Sequence, residues 1–394
     1  MPRNLLARQP KSLRFVRDTI GTLDPTNFHH YFHFHHLLKI TNLMKLLQLE
    51  QQAEKALVTC LADIPFLQVR PSKRVSIKKG PRPDVLTTVK LPDREQTLVA
   101  EVKSSGQPRL AREAVNQLLR YRESLPDAYG IFIAPYISPQ AAAICTQEGV
   151  GYLDLVGNCY LSFGQVFIER EGHRNLFARK RDLRSLYSPK AARVLRVLLT
   201  DPRRPWKVQA LADEAQVSLG QVANVKKLLA DREWLRPQPD GLRLSNPGAV
   251  LAEWSAEYTY RHNQIRDYYS LRSLEEIEAE LGAVCREEGI PYALTGFSGA
   301  ARLAPAVRYQ RVMAYVQNDT EAVTSRLQLK AVTSGANVSL LTPYDEGVFY
   351  ATRDYEGIRV VSPIQLYLDL HGFRGRGEEA AKVLLDEVIT PQWQ

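Results

Sequence analysis

The sequence predicts an α/β protein of more than one domain: an α/β unit, a helical segment closed by a hairpin, and a second α/β unit. Three observations lead there. A chain of 394 residues exceeds what one typical core holds. Its first half alternates helix-period and strand-like runs, as a mixed sheet covered by helices requires. A run crowded with cations, Arg174, Arg179, Lys180, Arg181, Arg184, Lys190, Arg193 and Arg196, then Arg203, Arg204 and Lys207, separates that half from the rest. The expected divisions are an arm over 1–40 and domains over 41–183, 184–261 and 262–394.

The formal charge of +9 and pI near 9.3 make a polyanion, above all DNA, the default partner. No apolar run reaches the roughly 18 residues that span a bilayer, and the apolar stretches of MPRNLLARQPKSLRF are too short for a secretory signal, so a cytoplasmic protein without membrane contact is expected. Cys60, Cys145, Cys159 and Cys285 form no CxxC pair, which argues against a zinc site or a disulfide scaffold. Five of the eight histidines lie in HHYFHFHH, from His29 to His36. That tract reads either as a metal-binding stretch or, given Tyr31, Phe32 and Phe34 within it, as a packed or partner-facing segment.

Helical spacing of Leu43, Leu46, Leu47, Ala53, Leu57, Val58 and Leu61 predicts a helix over 41–63, with Glu50 and Glu54 interrupting its stripe. Either these carboxylates sit at the stripe's edge in solvent, or they are paired or bind metal. FLQVR, DVLTTVKL and TLVAEVKSS read as strands, and LPDREQ connects the last two. With Pro92–Glu95 as the loop, Leu91 faces Gln96 and Asp84 faces Lys103. A helix over Arg109–Leu125, a buried strand YGIFIAPY, a helix over Pro139–Glu148, and strands GYLDL and CYLSF complete the expected unit.

In AEVKSSGQP, Glu101 and Lys103 share one face of a strand with Thr97 and Val99, while Leu98, Ala100 and Val102 share the other. A surface ion pair would give the same pattern. Pro83, Asp84, Glu101, Val102 and Lys103 resemble the PD-(D/E)xK motif of restriction-endonuclease-like nucleases, and Gln117 and Tyr121 resemble the QxxxY motif of Mrr- and RecB-like members. The resemblance implies a restriction-endonuclease-like αβ core that hydrolyses phosphodiester bonds. Asp84 and Glu101, with Glu54 and the Val102 carbonyl as additions, would hold Mg²⁺ or Mn²⁺. Lys103 would orient or deprotonate water, and Gln117 and Tyr121 would position substrate or the lysine.

GVGYLDLVGNCYLSF, with Tyr152, Asp154, Gly157, Asn158 and Tyr160, is similar to a signature of the AbiEi-type family of type IV toxin-antitoxin antitoxins and regulators, as is SPIQLYLDLHGFRGRGEEAA. This resemblance implies a DNA-binding transcriptional regulator with a cognate toxin as partner. Gly157-Asn158 also suits a tight hairpin, whatever its function.

Helices over Ser188–Leu199, Val208–Ala215 and Ser218–Trp234, then RPQPDGLRLSN, give the outline of a central winged helix-turn-helix. Gln221, Asn224, Lys226 and Lys227 on its third helix would reach bases or phosphates, and Arg236 and Arg243 on the wing would reach backbone. The alternative use is protein contact. Farther on, IPYALTGFSGAARL and RVMAYV resemble the opening of a nucleotidyltransferase fold, but Arg311–Val316 carries no carboxylate pair, so a degenerate, inactive version is expected. Gly296 and Gly299 would do no more than shape a turn. Two functions follow as expectations: a Mg²⁺-dependent nuclease delivered to DNA by the winged helix, with a homodimer if both strands are cut, or a regulator and antitoxin whose nuclease-like domain is a scaffold.

Overall fold

Residues 46–70, 82–173, 186–304, 308–317, 320–373 and 375–394 are described in the computed structural model. The histidine tract, Leu43 and the cations from Arg174 to Arg184 lie outside them. The chain is a mixed α/β protein that divides into two compact units. One holds residues up to Gly106 with Glu113–His173; the other holds Gln107–Arg112 with residues 174–394. Among the described residues no helix is long and apolar enough to cross a membrane.

In the first unit, helix α1 (46–62) buries Ala53, Leu57, Cys60 and Leu61. Leu46, Leu47 and Val58 of the expected stripe are instead about half exposed, because only one narrow edge of α1 meets the sheet. The sheet runs β1 (Gln68–Val69), β2 (Val85–Lys90), β3 (Glu95–Val102), β4 (Tyr129–Ala134), β5 (Gly151–Asp154), β6 (Cys159–Phe163) and β7 (Val166–Arg170) in sequence order. β3, β4 and β5 are parallel and the outer pairs antiparallel. Two parallel connections need crossovers, and helices α2 (Pro108–Ser124) and α3 (Pro139–Gln147) supply them. β7 was not expected from the sequence; its signal is VFIER following the turn at Gly164, which lies at φ +54°.

The β2–β3 register differs from the expectation. Val85 faces Ala100 and Lys90 faces Glu95, so the loop is shorter, closed by the Leu91 N–H on the Arg94 carbonyl at 2.7 Å. Every pairing shifts by two residues, which keeps each side chain on its face. Asp84 therefore stands at the level of Glu101 rather than Lys103. Leu98, Ala100 and Val102 join Leu57 and Leu61 in one core, leaving Val99 and Glu101 on the other face.

The second unit opens with helices α4 (Pro189–Thr200), α5 (Val208–Glu214) and α6 (Leu219–Asp231) and the hairpin β8 (Leu235–Gln238) and β9 (Gly241–Leu244). α6 stops three residues before the expected Trp234, which is buried beside the hairpin. Trp206 and Leu242 exchange both backbone hydrogen bonds, adding a third short segment to the hairpin. Gly241 is required there: at φ +152°, a Cβ would meet the Trp206 backbone at 2.7 Å.

After helix α7 (Pro247–Glu257) comes a seven-stranded sheet built from β10 (Gln264–Tyr269), β11 (Tyr292–Leu294), β12 (Val312–Val316), β13 (Lys330–Ala331), β14 (Val338–Thr342), β15 (Arg353–Tyr355) and β16 (Ile358–Val360), in the order β13-β10-β14-β12-β11-β16-β15. Helices α8 (Leu274–Glu287), α9 (Gly296–Leu303), α10 (Thr320–Arg326), α11 (Pro363–His371) and α12 (Arg376–Leu384) accompany it. GFSG is thus the first turn of a helix, with Gly296 at φ +57° beginning it. One hydrophobic core joins Leu195, Leu198 and Trp254 to Tyr315, Leu366 and Leu370.

Candidate functional site

Five of the residues singled out by the sequence meet on the Glu101 face of the first unit. Glu101 is the penultimate residue of β3 and is 1% exposed. Its Oε1 accepts from the Tyr121 hydroxyl at 2.8 Å, and its Oε2 accepts from Lys103 Nζ at 3.0 Å. Lys103 Nζ also donates to Gln117 Oε1 at 3.4 Å, and Gln117 Nε2 to the Tyr121 oxygen at 2.9 Å. Gln117 and Tyr121 lie four apart on α2 and so project together. Asp84, exposed at the mouth of β2, accepts from the Val102 N–H through Oδ2 at 2.7 Å. Because Val102's side chain enters the core on the other face, its backbone is held at the level of Asp84.

Electrostatics follow from this placement. Burial, and then the negative charge of Asp84, raises the Glu101 carboxyl above its ordinary range; the bonds from Tyr121 and Lys103 oppose that rise without cancelling it. Burial pushes the Tyr121 hydroxyl up as well, so it remains a donor at neutral pH. Glu54 is half-buried on α1 and makes no hydrogen bond or ion pair with this cluster. Among the described residues, no group of three or more His, Cys, Asp or Glu side chains is arranged to hold a metal ion.

The loop after β3 approaches the following strand closely. Gly106 bridges to Ile137, and a Cβ there would lie 2.1 Å from the Tyr136 carbonyl, so AEVKSSGQP admits only glycine at that point. Nearby, Asp154 is 1% exposed and accepts from the N–H groups of Val156, Gly157 and Asn158 through Oδ1, and from Ile137 N–H and the Asn158 amide through Oδ2. Asn158 in turn exchanges hydrogen bonds with the His173 backbone. The Tyr-x-Asp-x-x-Gly-Asn stretch is therefore a turn-organising device whose carboxylate is fully occupied.

In the second unit, α6 buries Val222, Val225 and Leu229 and leaves Asn224, Lys226 and Lys227 exposed, with Gln221 half-exposed. Gln221, Asn224 and Lys227 follow one another at three-residue steps and form one polar strip. Ser218 Oγ caps the helix by accepting from Gln221 N–H at 3.2 Å. Arg236 and Arg243 are direct cross-strand partners on the hairpin. Arg243 Nη2 reaches Asp240 at 3.4 Å, while its Nε is buried without a partner. Two cations counted in the basic run have other work: Arg193 forms a half-buried pair with Asp345 at 2.8 Å, and Arg196, 1% exposed, donates to Gln365. Both point inward because they occupy the core face of α4.

A buried cluster here escaped the sequence reading. Asp369 on α11 accepts from Thr295, Tyr258, Tyr315 and Gln365, and burial raises its carboxyl. The only sequence signal is an acid within the apolar run IQLYLDL.

Residues 243–390 match the model of the family described as transcriptional regulator, AbiEi antitoxin, type IV TA system. No curated protein matches the chain. A solved structure, of the EndoMS–dsDNA2 complex, is 16% identical over 26% of this chain and 43% of that one, less than half its length, with a TM-score of 0.19. That likeness is too slight to bear on fold or function.

Proposed function

We propose that the chain is a DNA-binding regulator of the antitoxin type, in which residues 184–261 act as a winged helix-turn-helix. The similarity of residues 243–390 to antitoxin regulators carries this reading. The polar strip Gln221, Asn224 and Lys227, with Lys226 beside it, supports entry of α6 into a major groove. Arg236 and Arg243 face one another across the hairpin, where both could donate to one backbone phosphate. The partners are DNA and a cognate toxin, and a homodimer would suit a two-fold operator. Nuclease footprinting of the purified protein on DNA upstream of its own reading frame tests this. Protection is expected; its absence across that DNA would overturn the reading.

The Glu101 cluster favours a second reading that is compatible with the first: a PD-(D/E)xK-type deoxyribonuclease. Asp84, Glu101 and the Val102 carbonyl are oxygen donors suited to Mg²⁺ or Mn²⁺, which characteristically takes one or two carboxylates and completes its shell with water and phosphate. Two carboxylates at one level, one of them buried, are a donor set whose mutual repulsion a cation would relieve. When bound, the ion would polarise the phosphate and lower the pKa of water. Lys103 holds its ammonium where charge would build on the phosphate, and Tyr121 and Gln117 fix the orientations of Glu101 and Lys103. Glu54 would have to reach the same ion from α1. Incubation of supercoiled and single-stranded DNA with Mg²⁺ or Mn²⁺, beside EDTA and Glu101→Ala controls, tests the reading. Cleavage lost in both controls is expected, and no cleavage at all would leave the cluster a structural pair.

A further inference from the structure

The second unit contains a cleft of about 1140 Å³ whose floor is β10, β12 and β14 and whose rim carries the start of α9 and of α12. Four arginines line it: Arg261, Arg308, Arg311 and Arg376. Among the described residues that line it, Asp267 is the sole carboxylate. Asp267 is already engaged, since Ser339 Oγ donates to it at 2.6 Å and Arg311 lies 3.8 Å away. Arg261 and Arg308 are exposed and have no carboxylate within ion-pairing distance among the described residues. Arg376 donates to the Arg308 carbonyl and lies over the Phe297 ring at 5.7 Å. Three guanidinium groups thus share one concave surface without a neutralising acid, an arrangement that repels itself until an anion enters.

The other side of the same cleft is aromatic. Tyr260 stacks on Phe373 with ring centroids 4.8 Å apart, and Phe373 meets Phe297 at 5.3 Å. An aromatic wall, two of its rings stacked and the third tilted by 52°, beside free guanidinium groups selects a ligand with both a planar ring and phosphate oxygens. Sulfate or phosphate would use only the arginines, and a hydrophobic molecule would leave them unpaired. The volume exceeds what one nucleotide fills, which leaves room for a neighbouring phosphate.

We propose that this cleft binds a phosphorylated nucleoside, its base against Tyr260, Phe373 and Phe297 and its phosphates on Arg261, Arg308 and Arg376. The ligand is a free nucleotide or a nucleotide at the end of a single strand, which share this chemistry. With Asp267 alone, the cleft lacks the carboxylate pair that holds catalytic Mg²⁺, so it is a binding site rather than a second catalytic centre.

The test uses the full chain in EDTA, with three probes titrated calorimetrically or by fluorescence anisotropy: ATP, a 5′-phosphorylated oligothymidylate, and inorganic tripolyphosphate. Arg261→Ala with Arg308→Ala is the variant, and since both side chains are exposed its thermal unfolding should match the parent. Binding of ATP weakened roughly tenfold for each arginine removed supports the site and identifies a free nucleotide. Binding of the oligonucleotide alone, weakened by the same pair and retained in Lys226→Ala/Lys227→Ala, supports it and identifies a strand end. Tripolyphosphate binding as tight as ATP overturns base recognition. Absence of binding by either nucleotide probe, or binding indifferent to the arginine pair, overturns the proposal.

Discussion

Glu101 is where the chemistry of single residues is most exposed to test. Because burial and Asp84 raise its carboxyl, the folded state holds this proton more tightly than the unfolded chain does. Its contribution to stability is then fully present below the unfolded value and is lost as pH rises through the raised folded one. Any cation held by Glu101 must displace that proton, so on acidification metal-dependent activity should be lost at a pH already above the ordinary carboxylate range. Asp84→Asn removes one of the two causes and should bring the Glu101 titration down, as ¹³C NMR of labelled glutamate would register. An unmoved titration would mean that burial acts alone. Lys103→Ala should cost cleavage about 10²-fold or more while leaving DNA affinity nearly intact, because its ammonium would act on charge that develops only in the transition state. Retained cleavage would remove Lys103 from the mechanism.

Among the elements, the β5–β6 turn and the third helix of the second unit make separate demands. Asp154 satisfies four backbone N–H groups and one amide at once, so Asp154→Ala orphans all of them in a buried turn. A loss of about 3 kcal/mol or more in chemical denaturation is expected, and a loss below about 1 kcal/mol would mean that the turn holds its shape without the carboxylate. On α6, Lys226→Ala with Lys227→Ala should weaken operator binding and reduce the salt slope by about one for each phosphate contact removed. An unchanged slope would place these lysines away from the phosphates. The same element-scale logic explains why AEVKSSGQP was readable in advance: strand alternation alone assigns Glu101 and Lys103 to one face. The two-residue slip between β2 and β3 preserved that parity, so the face survived an error in register. Turn geometry was the illegible part, since LPDREQ accommodates more than one loop length.

For the whole molecule, the core of the second unit is the consequential feature. Leu195 and Trp254 share it with Tyr315 and Leu366, and Arg196, Gln365, Tyr258 and Asp369 form a polar chain through it. Asp369→Ala would leave Thr295, Tyr258 and Tyr315 without their acceptor and should destabilise α4 and α11 together. Hydrogen exchange followed by mass spectrometry reads this directly: both helices should lose protection in one step. If α4 stays protected while α11 exchanges, the two segments unfold independently. The basic charge of the chain also acquires a finer meaning here. Arg193 and Arg196 are consumed internally, whereas Lys226, Lys227, Arg261 and Arg308 remain available to anions.

By itself, the sequence determined the mixed α/β character, the helices and nearly all strands of the first unit, the three helices and hairpin that open the second, the common face of Glu101 and Lys103, and the pairing of Gln117 with Tyr121. All of these follow from periodicities of two and 3.6, which are local properties of the backbone. Tertiary structure alone decided that Asp84 stands level with Glu101, that Asp154 serves a turn, that two arginines of the basic run turn inward to internal partners, and that Asp369 gathers three hydroxyls. It also decided that Arg261, Arg308 and Arg376, far apart along the chain, share one cleft. Such groupings depend on register and on which elements pack together, and neither is written in the spacing of any single segment.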